Sequence, residues 1–362
     1  PTTAVVGTYE RTLCGYEVEG DCSLTPIFNH PAHLGPIKAV ASSGRWMVSG
    51  GGDEEIRIFN IRKRVEVGSL MRHNGPISCL RFYSNTHLVS GGDDKQLCVW
   101  RTKDWTCLAS LEGHNGGIND LDIHPTGRIM ISCARDKMVK LWDLVKADCV
   151  FSFVNPLPAA SEQIRWSTTG QHFSLASQLN LAIFSAEASK LTQTLIHEKP
   201  VLCSAFISEQ QVVTGSEDGI VRLWDVRSGK VAKTLEPHAQ RIRAVVVDAH
   251  GRLLAASTDG QVSVYSKGDY EHATAKEHLR ARVTCACMST DGEVNKEKPK
   301  APKKKKDKKH ARKKGFAPTS PSKRPSQNQT ASPAMGKPSG GKPFGRKSKG
   351  QKGGKGKGRP TP

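Results

Sequence analysis

Residues 113–143 read GHNGGINDLDIHPTGRIMISCARDKMVKLWD and end in the alternating run Val139-Lys140-Leu141-Trp142. Alternation of apolar and polar residues is typical of a β-strand that buries one face. Gly113-His114 opens this segment and Trp142-Asp143 closes it. A unit of this length cannot bury its apolar face alone, so a fold built from it requires neighbouring copies.

The chain contains six such units at a nearly constant spacing. Each has an alternating run that ends in an aromatic residue, and these residues are Phe59, Trp100, Trp142, Phe184, Trp224 and Tyr265. The spacings between them are 41, 42, 42, 40 and 41 residues. This period is typical of propeller blades that contain four strands each.

Two polar positions repeat with the same period. Six residues before the aromatic residue stands an aspartate, which is Asp53, Asp94, Asp136, Asp218 or Asp259, with Gln178 as the exception. About 21 residues before these aspartates stand His33, His73, His114, His197 and His238. Together with the Gly-His and Trp-Asp dipeptides, these positions are the signature of the WD40 repeat.

The two ends of the chain supply a seventh unit. Residues 283–288 alternate like the first strand of a blade, and Glu10 precedes Tyr16 by six residues. We therefore expect strands at 5–10, 12–18 and 24–30 to complete a blade with one C-terminal strand, because such closure removes free sheet edges. The predicted fold is an all-β, seven-bladed WD40 β-propeller over residues 5–290, followed by a disordered Lys/Gly/Pro-rich tail over residues 291–362.

Blades two, three and five each place a hydroxyl, an imidazole, a carboxylate and an indole in register. The three sets are Ser90/His73/Asp94/Trp100, Ser132/His114/Asp136/Trp142 and Thr214/His197/Asp218/Trp224. A hydrolase has a Ser-His-Asp triad once per site, whereas these sets recur with the blades. We therefore expect structural hydrogen-bond networks. Blade four has Gln178 at the aspartate position and Leu157 at the histidine position, which predicts the least rigid blade or one that is held by something external.

Several functional classes find no support in the sequence. There is no metal-ligand constellation, no phosphate-binding loop and no outstanding carboxylate pair, so we expect no metal, no cofactor and no enzymatic activity. No apolar run reaches 18 residues, so no transmembrane helix is expected, and residues 1–7 lack the pattern of a signal peptide. The ten cysteines lie within residues 1–292 without a CxxC pair, which favours reduced thiols in a cytosolic or nuclear protein.

The positive charge is concentrated near the C-terminus. Of 54 Lys and Arg and 34 Asp and Glu, residues 293–362 contain 23 bases and three acids, which leaves 31 of each in residues 1–292. The tail has few apolar side chains and should be disordered alone. Its densest basic run comprises Lys303, Lys304, Lys305, Lys306, Lys308, Lys309, Arg312, Lys313 and Lys314. This run predicts nuclear and nucleolar targeting and electrostatic RNA binding with little sequence specificity. The alternative is a solvated tail that only keeps the protein soluble.

A second cationic group lies within the predicted propeller. The expected turns of blades six and seven contain Arg241, Arg243, Arg280 and Arg282. Neighbouring blades would bring these guanidinium groups together as a face for an acidic protein segment or for phosphates. The alternatives are an ordinary solvated surface, or a docking surface on the opposite face near residues 62–64.

Three segments resemble one family of WD40 proteins. Residues 7–16 (GTYERTLCGY) look like the opening of the p21-activated-kinase-interacting-protein family, and residues 73–83 (HNGPISCLRFY) and 87–91 (HLVSG) resemble that family as well. The basic tail is similar to the family's in character only. The resemblance covers about residues 1–292.

The resemblance implies a function that the residues alone do not give. Members of that family, including the fungal "maintenance of killer" member, are nucleolar assembly factors of the large (60S) ribosomal subunit, and animal members are described as restraining Rac/Cdc42-activated kinases. We therefore expect a scaffold that binds pre-60S assembly factors and ribosomal proteins through its propeller and pre-rRNA through its tail, without contact to a membrane and as a monomer within a large complex. A kinase-inhibiting adaptor and a chromatin-associated reader are the alternatives.

Overall fold

The computed structural model describes residues 2–20, 22–188, 190–268 and 270–290. The chain divides into two units, Pro1–Glu297 and Lys298–Pro362, and the predicted tail over 291–362 lies outside the described residues. The first unit consists of seven antiparallel sheets, each with four strands. It is the seven-bladed propeller that the sequence predicts.

The strands follow one another in chain order, and blade one begins at β4. The N-terminal strands are β1 (Thr2–Thr8), β2 (Thr12–Val18) and β3 (Leu24–Pro31). Blade one contains β4 (Ile37–Ser43), β5 (Trp46–Gly51), β6 (Ile56–Asn60) and β7 (Val65–Leu70). Blade two contains β8 (Ile77–Tyr83), β9 (His87–Gly92), β10 (Leu97–Arg101) and β11 (Thr106–Leu111). Blade three contains β12 (Ile118–Ile123), β13 (Ile129–Ala134), β14 (Met138–Asp143) and β15 (Asp148–Val154).

The remaining blades repeat the same order. Blade four contains β16 (Gln163–Trp166), β17 (His172–Ser177), β18 (Asn180–Ser185) and β19 (Lys190–Ile196). Blade five contains β20 (Val201–Phe206), β21 (Gln211–Ser216), β22 (Val221–Asp225) and β23 (Lys230–Thr234). Blade six contains β24 (Ile242–Val247), β25 (Leu253–Ser257), β26 (Gln261–Tyr265) and β27 (Ala275–His278), and β28 (Val283–Thr290) returns to the N-terminal strands.

Blade seven closes the ring with strands from both ends of the chain, in the order β28-β1-β2-β3. Strand β1 pairs antiparallel with β28, and Ala4 lies opposite Met288. The strand predicted at 5–10 begins earlier and ends earlier, at Thr2–Thr8, because residues from Thr2 onward find partners on β28. The segment 9–11 is instead the turn before β2.

The core lies between neighbouring blades. Seven clusters of buried apolar side chains fill the seven interfaces between consecutive sheets. In β14, Val139 and Trp142 are buried, whereas Lys140 between them is not. Trp142 packs with Val89 and Leu97 of blade two. Full burial of a valine or leucine side chain in such a cluster stabilises the fold by about 1.5–3 kcal/mol.

Antiparallel pairing divides the connections between two faces. The connection before each first strand and the turn between the second and third strands lie on one face, which we name the upper face. The other two turns of each blade lie on the lower face. The repeat histidines and aspartates therefore meet on the upper face, because antiparallel neighbours reverse direction at each turn.

The ten cysteines are free thiols. Burial raises the pKa of Cys79 and of Cys98 to about 12, so these thiols stay protonated at neutral pH. No helix in the described part of the chain is long and apolar enough to span a membrane.

Candidate interaction faces

The predicted sets of blades two and three form continuous hydrogen-bond chains. The Trp142 indole donates to Ser132 Oγ at 2.8 Å, Ser132 Oγ lies 2.8 Å from His114 Nε2, and His114 Nδ1 lies 3.0 Å from Asp136 Oδ2. Asp136 also accepts the backbone N–H of Asn115 at 2.8 Å. The chain thus ties the incoming connection of the blade to the turn between its second and third strands.

Blade two repeats this geometry almost atom for atom. Trp100 donates to Ser90 Oγ at 2.9 Å, and Ser90 Oγ lies 2.8 Å from His73 Nε2. His73 Nδ1 lies 2.9 Å from Asp94 Oδ2. Blade one contains the same bonds from Ser49 through His33 to Asp53, without an indole.

The protonation of these groups follows from their burial. Burial lowers the pKa of His114 more than the hydrogen bond to Asp136 raises it. Burial opposes ionisation of Asp136, but hydrogen bonds from the N–H groups of Met138 and Asn115 and from His114 leave its pKa below the usual value. A neutral imidazole that donates from Nδ1 to a carboxylate and accepts at Nε2 from a hydroxyl satisfies every member of the chain.

The hydroxyls of these sets are inaccessible. Ser90, Ser132 and Thr214 have 0% exposed surface. A nucleophile must lie within reach of a substrate atom, and these oxygens lie beneath the histidine and the tryptophan of their own blade. We infer a structural role for the three sets.

Blade five departs from the predicted chain. Thr214 Oγ1 lies 2.9 Å from His197 Nε2 and accepts the Trp224 indole N–H at 2.9 Å, but Asp218 makes no hydrogen bond with His197. Arg222 pairs with Asp218 at 2.7 Å, and Ser216 Oγ donates to the same carboxylate. His197 Nδ1 has no hydrogen-bond partner among the described residues.

A single neighbouring residue explains why Asp218 does not bond to His197. Ser216 occupies the position of Gly92 in blade two and Ala134 in blade three, which have no side-chain hydroxyl. Blade six has Ser257 at this position, and its Oγ donates to Asp259. In both blades the hydroxyl competes for the aspartate and leaves the histidine without it.

Blade six also lacks the hydroxyl at the centre of the network. Ala255 of β25 occupies the position that Ser90 and Ser132 occupy in blades two and three. Both ring nitrogens of His238 and the hydroxyl oxygen of Tyr265 are buried without a hydrogen-bond partner among the described residues. In the sequence, the missing hydroxyl of blade six is visible as Ala255, but the predicted sets covered only blades two, three and five.

Blade four uses an asparagine where blades one, two, three, five and six have a histidine. The expectation that Leu157 takes this position is wrong, because the connection before β16 is longer and shifts the alignment by two residues. Asn155 is buried, and its N–H bonds to Lys137 O just as the N–H of His197 bonds to Leu179 O. The Asn155 amide donates to Ala159 O at 2.8 Å and to Ser161 Oγ at 3.0 Å. Contacts within the connection thus replace the missing histidine–aspartate bond.

The first strands of the blades line a central channel of about 800 Å³. On its wall Arg81 of β8 faces Asp120 at 3.7 Å and Asp122 at 3.5 Å, and Arg165 of β16 bonds to Asp120. Burial disfavours the charged form of Arg81, but Asp120 and Asp122 outweigh this effect and raise its pKa. This network was not predicted from the sequence. Its signal there was the presence of charged residues within three first strands, Arg81 in β8, Asp120 and Asp122 in β12 and Arg165 in β16.

The four arginines of blades six and seven do not all lie in turns. Arg243 belongs to β24 and lines the central channel, because strand alternation turns it toward the axis between the buried Ile242 and Ala244. The other three lie in upper-face connections, where Arg280 and Arg282 are exposed. Arg282 lies over the Tyr9 ring with its Cζ 5.3 Å from the centroid, and Arg241 lies 3.9 Å from Glu217.

Two further sequence expectations concern the basic run of the tail and metal binding. The basic run from Lys303 to Lys314 lies outside the described residues. Among the residues that are described, no group of three or more His, Cys, Asp or Glu side chains could hold a metal ion.

Comparison with known sequences agrees with this architecture. The family description "WD domain, G-beta repeat" matches residues 24–60, 64–101, 105–143, 189–225 and 229–266. The p21-activated protein kinase-interacting protein 1 of Homo sapiens is 36% identical over 297 residues, which cover 78% of this chain and 75% of the human protein. The chain belongs to the p21-activated-kinase-interacting-protein family of WD40 proteins.

Other members of the family align over similar lengths. The p21-activated protein kinase-interacting protein 1-like of Danio rerio is 30% identical over 300 residues, which cover 80% of this chain and 81% of that protein. Protein MAK11 of Saccharomyces cerevisiae is 29% identical over 254 residues, 61% of each chain. WD40 propellers of this family are typically non-catalytic scaffolds. The repeat matches omit residues 144–188, which include the connection built around Asn155.

Proposed function

We propose that this family member is a non-enzymatic scaffold in the nucleolar assembly of the large (60S) ribosomal subunit. The observation that carries this proposal is the division of charge along the chain. A propeller with no net charge is followed by a segment with a net charge of +20. The first part suits protein partners and the second suits a polyanion.

The basic segment is the expected contact to pre-rRNA. Each lysine or arginine that neutralises a phosphate releases counterions, so such binding is strong at low salt and weak at high salt. The segment has only two aromatic residues, Phe316 near the basic run and Phe344 of the Gly/Lys-rich part. Base stacking therefore contributes little, and the segment should bind many RNA sequences with similar affinity. The same basic run supports a nuclear and nucleolar localisation.

The upper face is the expected contact to protein partners. Arg280 and Arg282 are exposed there to an acidic segment, Arg241 lies 3.9 Å from Glu217, and Arg243 lies at the channel. Arginine pairs with carboxylates through two parallel hydrogen bonds, which gives both affinity and orientation. Pre-60S assembly factors and ribosomal proteins are the proposed partners.

Affinity purification of the tagged full chain tests this function. The proposal predicts large-subunit precursor RNA and large-subunit assembly proteins in the eluate, and nucleolar signal by microscopy. An eluate that contains neither class after mild lysis contradicts it. A chain that lacks residues 293–362 serves as the second sample, and the proposal predicts that it retains protein partners and loses most of the RNA.

A kinase adaptor is the second candidate, and the names of the relatives favour it. The human and zebrafish proteins are named for their interaction with a p21-activated protein kinase. Binding of this chain to the regulatory region of such a kinase, with reduced kinase activity and without ribosomal precursors in the same complex, would favour the adaptor over the scaffold.

A further inference from the structure

The lower face has a strongly uneven distribution of charge. In blades one to three its turns are residues 44–45, 61–64, 84–86, 102–105, 124–128 and 144–147. These turns contain seven cations, Arg45, Arg62, Lys63, Arg64, Lys103, Arg128 and Lys146, and one acid, Asp104. Asp104 pairs with Arg101. In the other blades, the described residues of the corresponding turns contain five acids and three cations.

Hydrogen bonds between the turns join these cations into one surface. The Ile61 N–H bonds to Arg45 O at 2.9 Å within blade one. Ser43 Oγ donates to Ser84 O at 2.7 Å and links blade one to blade two. The Tyr83 hydroxyl donates to Thr126 O at 3.2 Å and links blade two to blade three. We name this surface the lower basic surface.

Five cations of this surface are exposed to a ligand. Lys63, Arg64, Lys103, Arg128 and Lys146 are exposed and form no ion pair within 4 Å with the described residues. Like charges that are held together on one surface repel each other, and this repulsion is relieved when a polyanion binds. The upper face differs, since its cations alternate with acids and some are paired, as Arg135 is with Asp93 at 2.8 Å.

Two tryptophans lie within the lower basic surface. The rings of Trp46 and Trp105 meet edge to face at 5.4 Å, and the Arg45 guanidinium lies over Trp46 at 4.7 Å. Both rings are partly exposed, whereas Trp100, Trp142, Trp166 and Trp224 are buried. Trp105 has φ of 56° and occupies the turn position that Gly229 fills in blade five with φ of 65°. A bulky residue in the left-handed region is uncommon and is strained there.

We propose that the lower basic surface of the propeller binds RNA, with its lysines and arginines on the phosphates and the Trp46–Trp105 pair against an unpaired base. Cations interleaved with aromatic rings are the combination that single-stranded nucleic acid recognises. An acidic protein segment would meet the cations but would leave the indole pair without a stacking partner. This inference goes beyond the proposed function, because it concerns the propeller itself and needs no ribosomal particle.

The last described strand ends beside the lower basic surface. Strand β28 ends at Thr290, and Ser289 Oγ donates to Gly44 O at 3.3 Å, beside Arg45.

Matched charge reversals in the full chain test the proposal. The test variant is Lys63→Glu/Lys103→Glu/Arg128→Glu, with one change in each of blades one to three. The control is Arg72→Glu/Lys95→Glu/Lys199→Glu, which changes three exposed cations of the upper face and gives the same net charge. Binding of single-stranded oligoadenylate is measured over a range of salt concentrations, after circular dichroism has established that both variants are folded.

The proposal predicts a loss of affinity in the test variant and a salt slope smaller by about two, since each phosphate contact to a single strand contributes about 0.7. The control variant should keep the wild-type slope. Equal losses in both variants would show a general effect of net charge, and no loss in either would leave the surface without RNA; each of these results overturns the proposal.

Tryptophan fluorescence distinguishes RNA from an acidic protein. Because the partly exposed tryptophans both lie in this surface, oligoadenylate should quench the fluorescence of the wild type, and poly-glutamate should not. Trp105→Gly, which places glycine where blade five already has it, should reduce the quenching while the propeller stays folded. Poly-glutamate that competes as well as RNA, with unchanged RNA affinity in Trp105→Gly, would assign the surface to an acidic protein instead.

Discussion

Replacing His114 by alanine should destabilise the propeller more than the same change at His197. His114→Ala removes the bond from Ser132 and the bond to the Asp136 carboxylate, whereas His197→Ala removes only the bond from Thr214. Both side chains are about equally buried, at 5% and 4% exposure, and both rings pack beside the tryptophan of their own blade. The cavity terms should therefore be similar, and the comparison isolates the histidine–aspartate bond.

The magnitude follows from the bonds that are lost. A neutral hydrogen bond contributes about 1 kcal/mol and a bond to a charged group about 1.5–3 kcal/mol. We expect His114→Ala to lower the free energy of unfolding by about 2 kcal/mol more than His197→Ala. Asp136 keeps its two backbone donors, so the loss should not approach that of an isolated buried charge.

Denaturant unfolding measures this difference. Both variants should unfold at lower denaturant concentration than the wild type with an unchanged m-value, which indicates a change of stability and not of compactness. Equal losses in the two variants would refute the role assigned to the His114–Asp136 bond. A double-mutant cycle with Asp136→Asn then measures the coupling directly, and a coupling near zero would contradict it as well.

The remaining predictions concern pH, the arginines and the tail. Burial lowers the folded-state pKa of His197 from 6.5 to about 4, so the unfolded state binds the proton first and the free energy of unfolding should fall as the pH drops from 6.5 to 4. Urea unfolding at a series of pH values should show a shallower fall for His197→Gln than for the wild type, and the same pH dependence in both proteins would contradict this. Arg241→Glu with Arg282→Glu should reduce association with protein partners in a pull-down while the melting temperature stays within a few degrees; wild-type recovery would place the docking surface elsewhere. Deletion of residues 293–362 should leave the melting temperature nearly unchanged and reduce RNA affinity most at low salt; salt-independent RNA binding would oppose it.

The sequence predicts the ring of blades because the repeat period is a local property. The aromatic residues that end the alternating runs, from Phe59 to Tyr265, recur about every 41 residues. Each repeat unit requires a neighbouring unit to cover its apolar face. The offset from Glu10 to Tyr16 identified the closing blade for the same reason. Only the strand bounds at the N-terminus differ, since the partner strand β28 decides where pairing begins.

The details of the polar networks could not be predicted from periodicity. Asp218 has the expected spacing, but the competition between Ser216 and His197 for its carboxylate depends on side-chain directions. Asn155 escaped notice because a longer connection shifts it against the repeat. The position of Arg243 depends on the face of β24 to which it belongs. Each case needs the three-dimensional neighbours of a residue, and spacing along the chain does not supply them.

We propose that this chain is a scaffold on precursors of the large ribosomal subunit. Sedimentation of cell extracts on a sucrose gradient, with the tagged full chain detected in each fraction, tests this role. The full chain should migrate with large-subunit precursors and shift to the top of the gradient after treatment with ribonuclease. A chain that stays at the top of the gradient in untreated extract, or that migrates with a kinase in fractions without precursor RNA, would contradict the proposed function.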